Sequence, residues 1–342
     1  MQILKNSRVL RAILLIAVAC TGSCVGQNAS TLPMFVPSPT PGGVIRSWGD
    51  DAMAGIMAAW ETNFRMYHPD ITFQSTLDGS GTGMAGIITG VSDLALMGRT
   101  ASANENMGFE WVFRYKPLGI QVMSGGLTKD GGTPALVVFV SKKNPVRQIK
   151  ISDLAAILAC PDESSKPITW ATAGVQGLWA NRHIHAYLYD SGTGTGAFLQ
   201  QAVLGSKDRW NWKIVTEFKD SKHPNGTPYP AGERIIDALR TDSGGIGIST
   251  LGHSKPWVSA VALVAGGPAV NATEKSVIEE SYPLSRGVYI YVNKAPGKPL
   301  DARVHEFLRF VTSQEGQTLV WQQKDFLPLS NAIDLQQRKK IE

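Results

Sequence analysis

Two short stretches of similar design narrow the folds open to this chain. DGSGTGMAG at 78–86 and DSGTGTGAF at 190–198 each pack glycines and hydroxyls behind an aspartate, then run into an apolar, helix-like segment. Each follows a strand-like run, ITFQSTL before the first and HIHAYLY before the second. Strand, glycine-rich turn and helix in that order make the β-to-α connection of a helix-flanked, largely parallel sheet. The rest of the chain keeps the same rhythm. VIRSW at 44–48, DLALMG, PALVVFVSKKNP and GVYIYV read as strands. Met53, Ile56, Met57, Trp60 and Phe64 recur at helical spacing, and Pro69 marks that helix's end. ARVHEFLRFVTSQEGQTLVWQQ reads as an amphipathic helix pair or one kinked helix. The expected class is α/β, with two lobes that are each a helix-flanked mixed sheet. Ligands of open α/β sheets bind at the carboxyl ends of the strands, so the ligand cleft is expected between the lobes.

A glycine-rich turn has two readings. Gly and Ser dominate turns for backbone reasons alone. Alternatively, successive N–H groups at a helix start form a nest for an anion, reinforced by the helix dipole. The near-duplication favours the second reading. The hydroxyls of Ser80, Thr82, Thr193 and Thr195 add donors to the N–H groups of Gly81 and Gly194. Such a set suits a tetrahedral oxyanion, because hydrogen bonds to a charged acceptor are about twice as strong as neutral ones. Residues 81–86 formally match G-x-G-x-x-G, and 192–197 match its alanine-ended form, which alone is weak evidence for a dinucleotide. No Walker A, G-x-S-x-G, H-E-x-x-H or C-x-x-C pattern occurs. No nucleophile–base pairing stands out, so an enzyme is not expected, nor is a cofactor. His183 and His185 fall on one strand face with no third ligand evident, which points to a structural role rather than a metal.

The N-terminus speaks to compartment. Lys5, Arg8 and Arg11 precede the apolar run Ala12–Ala19, which ends in AVAC, the layout of an export signal over 1–19. That run is far shorter than the roughly 20 residues a spanning helix needs. AVAC also resembles a lipobox, which would make Cys20 a lipid-anchored first residue; AVA alone equally suits ordinary cleavage. Residues 20–43, with NASTLPMFVPSPTPGG, read as a Pro-rich tether. Cys20, Cys24 and Cys160 imply no disulfide framework. The formal charge of +5 falls to about +2 without the three leader cations, which gives no reason to expect a nucleic-acid partner.

WGDDAMAGIMAAWETNFRMYHPDI, DGSGTGMAGIITGVSDLALMGR, SGTGTGAF, GGIGIST, YPLSRGVYIYVNK and EFLRFVTSQEGQTLVWQQKDFLPLS occur in that order. This series resembles the phosphate-binding component of bacterial ABC transporters, a periplasmic type II substrate-binding protein family, over about residues 44–330. The resemblance implies a monomeric periplasmic or extracytoplasmic protein that passes inorganic phosphate to a transporter permease. It implies a first part of lobe 1 at 44–132, lobe 2 at 133–283, and a return to the hinge and lobe 1 at 284–342.

Carried over, the family's first-loop serine is Ser80, and its second loop is Gly192, Thr193, Gly194 and Thr195. Other positions depart. Ala52 stands where a hydroxyl is usual and brings only its N–H, Tyr189 replaces an arginine, and Gly98 replaces an acid that accepts the proton of hydrogen phosphate. Near neutral pH phosphate carries a proton and sulfate none, so a buried carboxylate favours the first and repels the second. With Gly98 lacking that acceptor, Asp51, Asp78 and Asp190 become candidates, Asp51 the preferred one. Arg99 could replace the missing loop arginine or be a surface charge, and Arg286 is expected to brace the hinge or contact a solvated acid. The departures keep open another oxyanion, an organic phosphate, or a sensing protein without transport.

Overall fold

The computed structural model describes residues 32–127, 133–160, 168–205 and 209–342. The expected leader, the lipidation candidate Cys20 and the tether up to residue 31 lie outside them. In chain order the first lobe contributes β1 (Gly43–Gly49), α1 (Ala54–Phe64), β2 (Ile71–Thr76), α2 (Ser80–Thr89), β3 (Leu94–Met97), α3 (Ala103–Phe113) and β4 (Leu118–Gly125). The second contributes β5 (Val137–Ser141), β6 (Gln148–Lys150), α4 (Ile151–Leu158), β7 (Ala186–Tyr189), α5 (Gly194–Leu204), β8 (Val215–Phe218), β9 (Ser221–Lys222), β10 (Pro228–Tyr229), α6 (Ala231–Thr241), β11 (Ile246–Ser249), β12 (Val258–Val264) and α7 (Glu274–Ile278). The chain then returns through β13 (Gly287–Val292), α8 (Ala302–Val311), α9 (Gln314–Gln323), β14 (Phe326–Leu327) and α10 (Asn331–Ile341).

Two six-stranded sheets result, ordered β14-β4-β13-β3-β1-β2 and β6-β12-β5-β11-β7-β8. Both are mixed. In the first, β1 pairs parallel with β2 and β3, and β13 runs antiparallel to β3 and β4. In the second, β7 pairs parallel with β8 and β11, and β5 runs antiparallel to β11 and β12. Parallel neighbours share a carboxyl edge. On the first sheet that edge leads into Asp50, Ser80 and Gly98, and on the second into Asp190, Asp220 and Thr250.

Each sheet has its own core. On α1, Ile56, Met57, Trp60 and Phe64 are buried against Ile45, Leu96 and Phe307, each worth about 1.5–3 kcal/mol in apolar burial. Trp60 also donates its indole N–H to Gly316 O at 2.9 Å, so its polar handle is satisfied inside. The second core gathers Val138, Ile157, Trp170, Leu188, Leu199 and Ile248. The segments that join the lobes run side by side: Gly125 N–H donates to Arg286 O at 2.7 Å, and Leu136 N–H to Leu284 O at 3.1 Å.

The described part of the Pro-rich segment departs from a free tether. Phe35 is buried among Phe64, Tyr67 and Phe310, with ring centroids 5.1 Å from Tyr67 and 5.3 Å from Phe310. The N–H groups of Phe35 and Ser38 donate to Glu315 and Glu306, both at 2.7 Å. Leu32 is buried as well, so two apolar side chains and two carboxylate acceptors strap the segment to lobe 1.

Candidate functional site

The two glycine stretches meet. A cavity of about 430 Å³ lies between the carboxyl edges of the sheets, lined by Asp50, Asp51, Ala52, Gly79 and Ser80 from one side and Tyr189, Gly194, Thr195, Asp220 and Thr250 from the other. Neither stretch is a long loop. Helix α2 begins at Ser80 and α5 at Gly194, so most of the glycines and hydroxyls sit in first helical turns, whose N–H groups have no intrahelical acceptor. Gly79 makes this possible. Its φ of 102° is one that other residues rarely adopt, and its N–H is held by Gly49 O at 2.9 Å.

Five of the nine candidate residues line the cavity: Asp51, Ala52, Ser80, Gly194 and Thr195. Gly81, Thr82, Arg99 and Thr193 do not. The Thr82 hydroxyl donates to Gly79 O at 2.9 Å. Thr193 is the N-cap of α5, accepting from Gly196 N–H at 3.1 Å and donating to Asp190 O at 2.7 Å. Thr193→Ala should therefore lower stability by about 1 kcal/mol in urea unfolding while changing anion affinity less than Thr195→Val does.

Arg99 is paired elsewhere. Its two terminal nitrogens fork onto Glu105 at 2.7 and 2.9 Å, and that bonding raises its pKa further. Glu105 is the third residue of a capping box opened by Ser102. The other acids proposed for discrimination, Asp78 and Asp190, do not line the cavity: Asp78 is exposed, and Asp190 accepts from Gly192 N–H at 2.9 Å and pairs with Lys219 at 3.4 Å. Among the described residues no cluster of His, Cys, Asp or Glu could hold a metal, and His185 bonds Asp242 at 2.8 Å.

Two residues outside the candidate set hold the centre. Asp50, next to the preferred Asp51, is 8 % exposed, whereas Asp51 is exposed. Asp50 Oδ2 accepts from Ser80 Oγ at 2.8 Å, and Oδ1 from Ala52 N–H at 3.1 Å, so the Ala52 donor is already engaged. Ser80 Oγ in turn accepts from Gly98 N–H at 3.3 Å. A Cβ on Gly98 would lie 2.3 Å from Asp50 Oδ2. The Asp50 carboxyl thus occupies the space that a side chain at 98 would need. The second residue is Arg286, whose Nε and Nη2 donate to Gly98 O at 3.2 and 2.9 Å and whose Nη1 donates to Thr195 Oγ1 at 3.2 Å. Burial lowers its pKa to about 10 and raises that of Tyr189, across the cavity, to about 12.

Two α/β lobes that turn the carboxyl edges of their sheets toward one polar cavity define the bilobal binding-protein class with the type II fold. Residues 36–315 match the PBP superfamily domain, and the chain belongs to that superfamily. It is 28% identical over 324 residues to the phosphate-binding protein PstS of Pseudomonas aeruginosa, covering 93% of each chain. In fold it is similar to the PstS of Borrelia burgdorferi (TM-score 0.58, 17% identity, 84% of this chain and 99% of that one). It is similar also to an ABC-type phosphate transport receptor from Vibrio cholerae (TM-score 0.55, 17% identity, 83% and 99%).

Proposed function

We propose that this protein is an extracytoplasmic receptor that binds inorganic phosphate between its lobes and hands it to an ABC transporter permease. The observation that carries this reading is the meeting of two helix starts, with Ser80 and Thr195, in one cavity that also holds a buried acid. Donors and acceptor divide the ligand between them. The N–H groups at the starts of α2 and α5 and the Thr195 hydroxyl face the charged oxygens, while Asp50 accepts the proton that hydrogen phosphate carries. The names borne by the relatives support phosphate as the anion. The export-type leader supports a site outside the cytoplasm, and among the described residues no helix is long and apolar enough to cross a membrane. The hydrogen-bonded pair of connecting segments supports closure by bending at the hinge.

Isothermal titration of the purified protein with phosphate is expected to show one site, weakened more by Thr195→Val than by a surface control. No heat of binding at millimolar phosphate would overturn the reading. A larger ligand, an organic phosphate, is favoured by one feature. The cavity continues to Tyr189, Asp220 and Thr250, and the buried Thr250 hydroxyl has no partner among the described residues. Melting shifts with phosphate, sulfate and a phosphate monoester separate these ligands, because only a bound one stabilises the folded state.

A further inference from the structure

Arg286 lies in the hinge with 3 % of its surface exposed. Among the described residues it forms no ion pair with any carboxylate. Its three hydrogen bonds go to neutral oxygens, two to Gly98 O and one to Thr195 Oγ1. The Phe198 ring lies 4.9 Å from its Cζ. A guanidinium has five N–H groups, so one on each terminal nitrogen remains for another acceptor. Asp50 is near enough to favour the charged form, but it makes no hydrogen bond or ion pair with Arg286 among the described residues. A buried cation without a contact anion is costly to keep. Arg286 is also the one arginine or lysine among the described residues that line the cleft.

We infer that Arg286 is a ligand-binding residue, the cation that neutralises the anion in the cleft, delivered from the hinge rather than from either glycine-rich helix start. The inference rests on the anion-binding reading and adds a residue and a charge to it. Tyr189 leaves the start of the second helix without an arginine, and Arg286 supplies that charge from the opposite direction. It also orients a donor. Because Nη1–H points at Thr195 Oγ1, that hydroxyl serves as acceptor to Arg286 and keeps its own proton for the ligand. Gly98 belongs to the first lobe and Thr195 to the second, so the same guanidinium contacts both walls of the cleft.

The test pairs Arg286→Met with Arg286→Lys, each measured by phosphate titration and by melting with and without phosphate. For a ligand cation, Arg286→Met loses at least ~100-fold in phosphate affinity. Its ligand-free melting temperature stays equal or rises, since an apolar side chain removes the cost of burying a charge that has no contact anion. Arg286→Lys recovers part of the affinity, keeping the charge without the planar fork. The inference is overturned if Arg286→Met binds phosphate within about 3-fold of the parent. It is also overturned if Met and Lys variants lose affinity equally while both melt lower without ligand, the signature of a structural brace. A parent protein that binds no oxyanion overturns the anion-binding reading and this inference together; a parent that binds beside an unaffected Met variant leaves that reading standing.

Discussion

Asp50→Asn is expected to remove most of the cleft's preference for phosphate over sulfate. The carboxyl of Asp50 sits against Gly98 and receives the Ser80 hydroxyl at 2.8 Å, so it lines the cavity wall with acceptor oxygens. Hydrogen phosphate can satisfy such an oxygen with its O–H, whereas sulfate meets it with a bare anionic oxygen. An amide at the same place offers an N–H instead, which suits sulfate and wastes the phosphate proton. A site that leaves a buried polar group unpaired rejects the mismatched ligand by about 10⁴-fold. The ratio of phosphate to sulfate affinity should therefore fall by about 1000-fold, partly through weaker phosphate and partly through tighter sulfate binding. Titration of the two anions into parent and variant at one pH measures it. An unchanged ratio would move the discrimination away from Asp50.

Gly196→Ala is expected to damage both stability and binding. A Cβ there would lie 2.1 Å from Asp190 O, 2.5 Å from its carbonyl carbon and 2.9 Å from Ser191 Cα, all backbone atoms. That carbonyl also receives Thr193 N–H at 3.0 Å and the Thr193 hydroxyl at 2.7 Å, so the turn cannot yield without losing the cap. Relief requires the start of α5 to move, and Gly194 and Thr195 move with it. A loss of about 3 kcal/mol in denaturant unfolding, together with loss of phosphate titration heat, is the expected outcome. Gly81→Ala provides the contrast. Its Cβ would meet nothing within 4 Å, so its unfolding midpoint should stay close to the parent's.

Much of the architecture was legible because it is local. Strand alternation, the Trp60 helix stripe and the glycine-rich turns each sit within a dozen residues, and their order carries the family resemblance. Of the four glycine-turn hydroxyls, the two that reach the cavity, Ser80 and Thr195, were legible for the same reason. Thr82 and Thr193 were not separable from them, because a hydroxyl in a first helical turn can face a ligand or bond its own backbone, and sequence spacing does not choose. Asp50 and Asp51 are adjacent, and which one turns inward depends on how β1 breaks into a single 3₁₀ turn. The partners of Arg286 were beyond reach, since it bonds residues 188 and 91 positions away. The fate of Arg99 did leave a signal: SANE at 102–105 is a capping-box pattern, and its glutamate lies six residues from the arginine.

The strap that Phe35 seals has a mechanical consequence. Tension applied from the amino end of the chain reaches the aromatic nest and the Glu306 and Glu315 clasps before it reaches β1. The strap stands between such a pull and the first strand, whose far end is where Asp50 begins the cavity wall. A pull on that end is borne by the strap before it can reach the cleft.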